Sequence, residues 1–437
     1  MKRRFAPICL SLLLLSPLAM ANGLNLNSMG SRALAMGGAY VGLADDFSAV
    51  FWNPAGIAFF EKDCLGFYGT DLIPMSTYAL EYQVPGTDTP ITLVDAENET
   101  IHYLAGMGAY YHPVTENLVA GLGVYVPSGL GIRWKGEDMA SISNGNPSIN
   151  WESRVSMVTI APTLAFKITD QISLGAALNV NYGMFNIGMH AGKVSIDQPP
   201  YMVDLGQYEE EMTGWGYGAT VGILVKPSEK FSFGGTFRTQ SKVQFSGEAT
   251  ISNLNYLGLQ ASSKLERDLT WPIWIAGGVA FNPMQELTLT ADVQYTQWSE
   301  LDVIVTDFKN ISWQMIMARS GQDKMDLHWK DGTQFRFGAE YRINSLALRG
   351  GYYIDPAVAP DETMNILLPN YHYNVVTAGF GYHLNGLQLD FAVEYLMGKE
   401  REIDYRKVIT DPNYESAMPG TYNMNVLVPN LSVSYKF

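Results

Sequence analysis

Cysteine, charge and long hydrophobic runs are all scarce in this 437-residue chain. Two cysteines, Cys9 and Cys64, supply neither a Cys-based metal cluster nor a disulfide framework. Only 16% of the residues are charged, well under the roughly 25% usual for soluble domains. Yet a single apolar run approaches the ~20 residues a helix needs to cross a bilayer. With a mean hydropathy of −0.01, that excludes a bundle of membrane helices. Positive charge is the scarcer sign: 28 Lys and Arg stand against 43 Asp and Glu, a formal charge of −15. Phosphate backbones repel such a chain, so nucleic acid is excluded as a partner.

The one apolar run reads as a secretory leader. Lys2, Arg3 and Arg4 precede the apolar stretch "ICLSLLLL" (Ile8 to Leu15), and Ala19-Met20-Ala21 offers the small residues of a cleavage site. Cleavage after Ala21 removes Cys9 and three positive charges, taking the formal charge from −15 to −18. The mature chain is then exported, keeps one cysteine, and holds together without a disulfide.

Glycine (42) and tyrosine (25) are abundant, and from about residue 63 the chain settles into period-2 segments. Toward the C-terminus Leu427, Pro429, Leu431, Val433 and Tyr435 alternate with Asn430, Ser432, Ser434 and Lys436. Leu387 to Tyr395, Phe335 to Ile343 and Ile172 to Val180 repeat the pattern. A soluble β-sandwich also alternates, but these strands often reach ten residues, longer than the 5–6 typical of sandwiches.

The connections sort by length. Six are tight: "PVTEN" (113–117), "TDQ" (169–171), "PSEK" (227–230), "PMQE" (283–286), "NS" (344–345) and "NG" (385–386). Seven longer polar loops fall near 83–100, 127–150, 191–211, 252–263, 306–330, 355–370 and 404–423. Thirteen connections imply 14 strands, with short turns at one rim and long loops at the other, as in bacterial outer-membrane barrels. Hydrocarbon satisfies no backbone N–H or C=O, so such a sheet must close on itself. The expected fold is all-β, a 14-stranded antiparallel transmembrane barrel in a Gram-negative outer membrane. Trp271, Trp274, Trp298, Tyr352 and Tyr353, near strand ends, suit an interfacial girdle. Tyr435 and the terminal Phe437, in phase with the apolar face, resemble the signal read by the barrel assembly machinery.

Residues 22–62 break the strand rhythm. Their Phe47, Phe51, Trp52, Phe59 and Phe60 are costly to expose at about 25 cal/mol per Å² of apolar area. A 14-strand lumen has room to bury them as a plug. Glycines and the Asn53-Pro54 break suit tight folding there. The expected organisation is therefore a leader (1–21), a hatch (22–62) and a barrel (63–437).

The hatch also carries a resemblance. "NGLNLN" (Asn22 to Asn27), "SRALAMGGAYVGLADD" (Ser31 to Asp46, with Asp45-Asp46) and "NPAG" (Asn53, Pro54, Ala55, Gly56) occur in order before the strands. In this it resembles the outer-membrane long-chain fatty acid transporter family (FadL/TodX/OMPP1 type), which includes channels for toluene and other hydrocarbons. The resemblance implies passive uptake of hydrophobic molecules, fatty acids or hydrocarbons, that bind in the lumen and leave sideways at a kink in the third strand. It implies that Leu24 and Leu26 line the binding pocket. It also implies a lateral gate at Pro127-Ser128-Gly129. Pro127 cannot donate to a sheet ladder and Gly129 has no side chain, which permits local unpairing; equally, Pro127 can simply end the strand at its loop.

Catalytic chemistry is missing from the sequence. The six histidines (His102, His112, His190, His328, His372, His383) form no His-Glu-x-x-His, and there is no Gly-x-Ser-x-Gly elbow. No catalytic residue, metal site or cofactor is expected. Asp45 and Asp46 are expected to accept backbone N–H groups within the plug. The acidic stretches "DAENET" (Asp95 to Thr100) and "DPAVAPDE" (Asp355 to Glu362) read as solvated loops, with lipopolysaccharide bridging through divalent ions as the alternative. Arg154 either points inward to pair with a ligand carboxylate or pairs with Glu152 or the hatch. The expected partners are hydrophobic small molecules, outer-membrane lipid and lipopolysaccharide. The competing functions are a general porin and a structural or adhesin-like barrel.

Overall fold

The computed structural model describes residues 23–83, 90–195 and 202–437; the expected leader, residues 1–21, lies outside the described residues. The chain forms a closed antiparallel barrel of 14 staves. Six staves come first: β1 (Cys64–Gln83), β2 (Tyr103–Thr115), β3 (Leu118–Trp134), β4 (Trp151–Thr169), β5 (Ile172–His190) and β6 (Gln207–Ser228). Three broken staves follow: β7 (Phe231–Arg238 and Ser241–Ile251), β8 (Ser262–Trp271 and Trp274–Met284) and β9 (Leu287–Thr296 and Val303–Phe308). The last five are β10 (Gly332–Ile343), β11 (Leu346–Asp355), β12 (Tyr373–Leu384), β13 (Leu387–Gly398) and β14 (Gly420–Lys436). Each stave pairs with its neighbours in sequence, and β1 closes the ring on β14 from Cys64↔Lys436 to Ala79↔Thr421.

Period-2 alternation sets the two faces. On β10, Phe335, Phe337, Tyr341 and Ile343 are exposed on the outer face, while Arg336 and Glu340 are fully buried toward the lumen. The six tight turns sit where the sequence places them. Asn385 and Gly386 both take positive φ (48° and 87°), as a two-residue hairpin loop requires. Phe437 is exposed, stacks on Tyr435 at 5.6 Å, and its N–H donates to the Asp63 carbonyl at 3.0 Å.

Three expectations are corrected. The loop foreseen from residue 127 begins only after Trp134, because β3 continues through Pro127 by way of an irregularity between Tyr125 and Ser128. The loop foreseen at 83–100 contains a further strand, Pro90–Glu97, which folds back on the loop-side half of β1. Trp271, Trp274, Trp298 and Tyr353 are not girdle residues but are buried; of the five, only Tyr352 is exposed. Two of the broken staves, β8 and β9, carry those tryptophans. Pro272 cannot donate to the ladder of β8, and a short 3-10 turn (Trp298–Glu300) interrupts β9.

Inside the barrel lies the segment before β1. It holds a short helix α1 (Ser31–Ala35), a helical turn α2 (Ala49–Trp52) and a 3-10 helix (Pro54–Phe59). Phe47, Phe51, Trp52 and Phe60 are buried in it, each ring worth about 1.5–3 kcal/mol relative to exposure. Phe59 is half-buried under the Lys226 ammonium, 4.0 Å from its ring centre.

Candidate ligand channel

The hatch is keyed to the wall by its backbone. The Asn53 amide donates to the carbonyls of Val41 and of Ile223 on β6, both at 3.0 Å, and its Oδ1 accepts the Ala55 N–H at 3.1 Å. The close seat depends on wall glycine: a Cβ on Gly222 would lie 2.1 Å from Asn53 Oδ1. Gly56 is as constrained, since a Cβ there would stand 1.9 Å from the Ala44 carbonyl oxygen. The side chain of Asp292 on β9 accepts the Tyr40 and Val41 N–H groups, both at 2.8 Å.

The two hatch aspartates behave differently. Asp46 accepts the Ser48 N–H (2.8 Å) and Oγ–H (2.6 Å), as expected. Asp45 accepts side chains instead, Arg32 Nη1 at 2.5 Å and the Tyr40 hydroxyl at 2.9 Å. Burial pushes both carboxyls up. At Asp45 the Arg32 guanidinium overrides it and holds the group below the ordinary range, whereas Asp46 stays above it. Arg32 also grips Glu340 of β10 bidentately, at 2.8 and 3.0 Å, and Glu340 receives Arg349 of β11 at 2.6 Å. Arg349 reaches on to Asp390 of β13 at 2.6 Å. Hatch and three staves thus share one buried ionic network.

On the loop side of this network the lumen turns apolar. A cavity of about 140 Å³ is lined by Leu24 and Leu26 from the hatch, and by Leu72, Tyr103, Ile132, Val155, Tyr373, Leu396 and Val428 from the wall. Leu367 and Leu368, from the loop after β11, cover it and also line a second cavity farther out. That loop is fastened inward: Trp134 Nε1 donates to the Ile366 carbonyl at 3.0 Å, and the Ser153 hydroxyl donates to the Leu367 carbonyl.

One side of the cavity meets an interruption in the wall. β2 and β3 pair from Thr115↔Leu118 only as far as Met107↔Tyr125. Beyond Tyr125, β3 pairs with β4 alone, until Asn98↔Trp134 bridges the gap at its far end. Val126 and Pro127 both oppose Val158 of β4, a bulge that re-aims the strand. The hatch reaches this bulge. Leu26 N–H donates to the Pro127 carbonyl at 2.8 Å, and the Ser128 hydroxyl donates to the Leu24 carbonyl at 2.5 Å. Gly129 and Gly131 follow in the cavity lining, and the Tyr103 ring crosses so close to Gly131 that a Cβ there would meet it at 2.5 Å.

The structure therefore brings together Leu24, Leu26, Pro127, Ser128 and Gly129, and leaves Arg154 apart. Arg154 is exposed on the outer face of β4, in phase with Ile160, Leu164 and Phe166, while Ser153 and Val155 face the cavity. Its expected alternative partner, Glu152, is taken by Arg133 at 2.6 Å. Arg154→Ala is accordingly expected to leave ligand binding within about twofold of the parent, read by equilibrium binding; a tenfold loss would return Arg154 to the site. Sequence reasoning missed Asp355, which was assigned to a solvated loop. It ends β11 facing the lumen, where it accepts the Asn27 amide at 2.8 Å and the Gln334 amide at 2.6 Å. The alternation of β11 carried that signal.

A closed 14-strand barrel with an apolar outer band, an internal hatch and a lumenal apolar cavity is a plugged channel of the outer membrane. The chain belongs to the outer membrane protein transport protein family (OMPP1/FadL/TodX), whose sequence profile matches residues 12–437. Members of this family are transporters and channels for hydrophobic small molecules. Among relatives, the long-chain fatty acid transport protein of Salmonella typhi is 22% identical over 437 residues, covering 91% of this chain and 92% of its own. Outer membrane protein P1 of Haemophilus influenzae is 22% identical over 324 residues, 68% of this chain and 67% of its own. Among solved structures, a Pseudomonas aeruginosa FadL homologue superposes with a TM-score of 0.75 at 16% identity, over 95% of this chain and 100% of that one. The Ralstonia pickettii toluene transporter TbuX gives 0.68 at 18% identity, over 94% and 99%.

Proposed function

We propose that the protein passes hydrophobic molecules through the outer membrane by diffusion: they are held in the apolar lumenal cavity and leave sideways between β2 and β3. The observation that carries this reading is the continuity of the cavity with the unpaired stretch of wall beside Gly129 to Gly131. A general porin needs an open aqueous lumen, whereas this lumen is filled by the hatch and, beyond it, by Leu and aromatic side chains. The names of the relatives, fatty acid transport proteins and toluene transporters, support the same cargo class.

In this reading Leu24 and Leu26 are ligand contacts and Pro127-Ser128-Gly129 forms the gate. The Asn53-Pro54-Ala55-Gly56 turn and Asp45-Asp46 hold the hatch, and the functional units are the leader (1–21), hatch (22–62) and barrel (63–437). No catalytic step is involved, since the channel only provides a path. Exposed Tyr435 and Phe437 suit recognition by the barrel assembly machinery, and the polar loops suit contact with lipopolysaccharide. The test is reconstitution in liposomes. We expect saturable uptake of oleate or toluene and no swelling in sugars; swelling without hydrophobic uptake would replace this reading with that of a general porin.

A further inference from the structure

Resting on that reading, we infer that the cargo of the inner cavity is an uncharged, compact hydrocarbon of about one aromatic ring, and not a carboxylate. Two independent observations carry this. The first is size. The cavity holds about 140 Å³, close to the ~150 Å³ of an apolar protein cavity that takes up benzene. A long acyl chain needs several times that space, and Leu367 and Leu368 separate the inner cavity from the outer one.

The second is charge. Among the described residues no Lys, Arg or His lines the inner cavity, whereas two carboxyl side chains, Asp355 and Glu394, do. Asp355 occupies the amides of Asn27 and Gln334, and Glu394 accepts the Tyr353 hydroxyl. An anion entering here would lose its water, find no cation in the described lining, and meet carboxyl groups instead.

The nearby guanidiniums offer no remedy. Arg336 is fully buried behind the lining, where it donates to Gln334 Oε1 and the Gly37 carbonyl and stacks 4.1 Å from the Tyr353 ring centre. Arg238 makes no ion pair among the described residues, but it borders a separate cavity of only about 30 Å³. There it donates to the Phe51 carbonyl at 2.7 Å and faces the Phe51 and Trp274 rings. A neutral ring in the inner cavity gives up no charge hydration and packs against its apolar side chains and the rings of Tyr103 and Tyr373.

The experiment is equilibrium binding of labelled toluene, benzoate and oleate to the full barrel in amphipol. A Leu396→Trp variant, with the cavity filled, defines partition to be subtracted. Toluene and benzoate share a ring and differ in charge, while oleate adds length. We expect specific toluene binding, benzoate at least 100-fold weaker, and no specific oleate binding. Benzoate or oleate binding as tightly as toluene would overturn the inference while leaving the hydrophobic channel intact. Absence of specific binding by all three would overturn both the inference and the function it rests on. In a second comparison, Asp355→Asn with Glu394→Gln should narrow the gap between benzoate and toluene at least tenfold in a barrel that still resists heat. An unchanged gap would remove the carboxyls as its cause.

Discussion

Gly129→Trp is expected to lower uptake of hydrophobic cargo at least tenfold without reducing the amount of folded barrel. Gly129 lies on β3 just past the bulge, where no β2 ladder bonds compete for space. A Cβ there would stand 3.4 Å from Val126 Cγ1 and 4.0 Å from Leu26 Cδ1, ordinary contact distances. The backbone therefore tolerates a side chain, and the indole fills the junction between cavity and gap. A wedge of that size blocks a path whose whole cavity is about 140 Å³. Tyr103→Ala tests the same place from the other side. Its ring lies against Gly131 across the gap, so removing it should raise uptake severalfold. Uptake assays on cells, with heat-dependent gel mobility to count folded barrels, read both variants. Unchanged uptake in Gly129→Trp would mean that cargo does not leave between β2 and β3.

How much of this was legible in the sequence differs from stave to stave. The ring of 14 was legible because lipid on one side and a polar lumen on the other impose strict alternation, and because the tight turns advertise themselves by Asn, Gly and Pro. β14 shows where this ends. Its inner face begins with Ser434, Ser432 and Asn430 beside the hatch, then becomes Val428, Val426 and Met424 along the cavity. The loop-side half thus carries its apolar residues on the inner face, with Asn425 and Asn423 turned outward, and an apolar residue there no longer marks the lipid side. Pro127 was ambiguous for a related reason. A proline that stops a strand and a proline that bulges one look the same locally, and what decides here is the hatch, whose Leu26 N–H takes the Pro127 carbonyl. The buried tryptophans of β8 and β9 were misread because breaks in three adjacent staves turn their side chains inward, a tertiary effect with only Pro272 as its local trace. Arg154 was decidable, since counting from Phe166 puts it on the lipid face.

The largest effect on closure is expected from Glu340→Ala. Glu340 is fully buried and receives Arg32 from the hatch, Arg349 from β11 and, from its own stave, Arg342 at 2.8 Å. Removing the carboxylate leaves Arg32 with Asp45 and Arg349 with Asp390, and both guanidiniums with unsatisfied donors in a low-dielectric interior. Breaking a buried pair in this way costs about 3–5 kcal/mol. The barrel does not absorb that cost, because β9, β10 and β11 stay paired through their backbones along the whole length of β10. The strain falls on the contact between hatch and wall. The expected result is therefore a folded barrel with a loosened plug: measurable ion conductance in planar bilayers and at least 100-fold faster amide exchange in α1. Glu340→Gln separates charge from hydrogen bonding. Its amide oxygen still accepts from one arginine, so it should conduct less than the alanine variant if geometry matters, and as much if only charge does. A silent Glu340→Ala channel with α1 still protected would show that the Asn53 and Asp292 contacts hold the hatch without the ionic network.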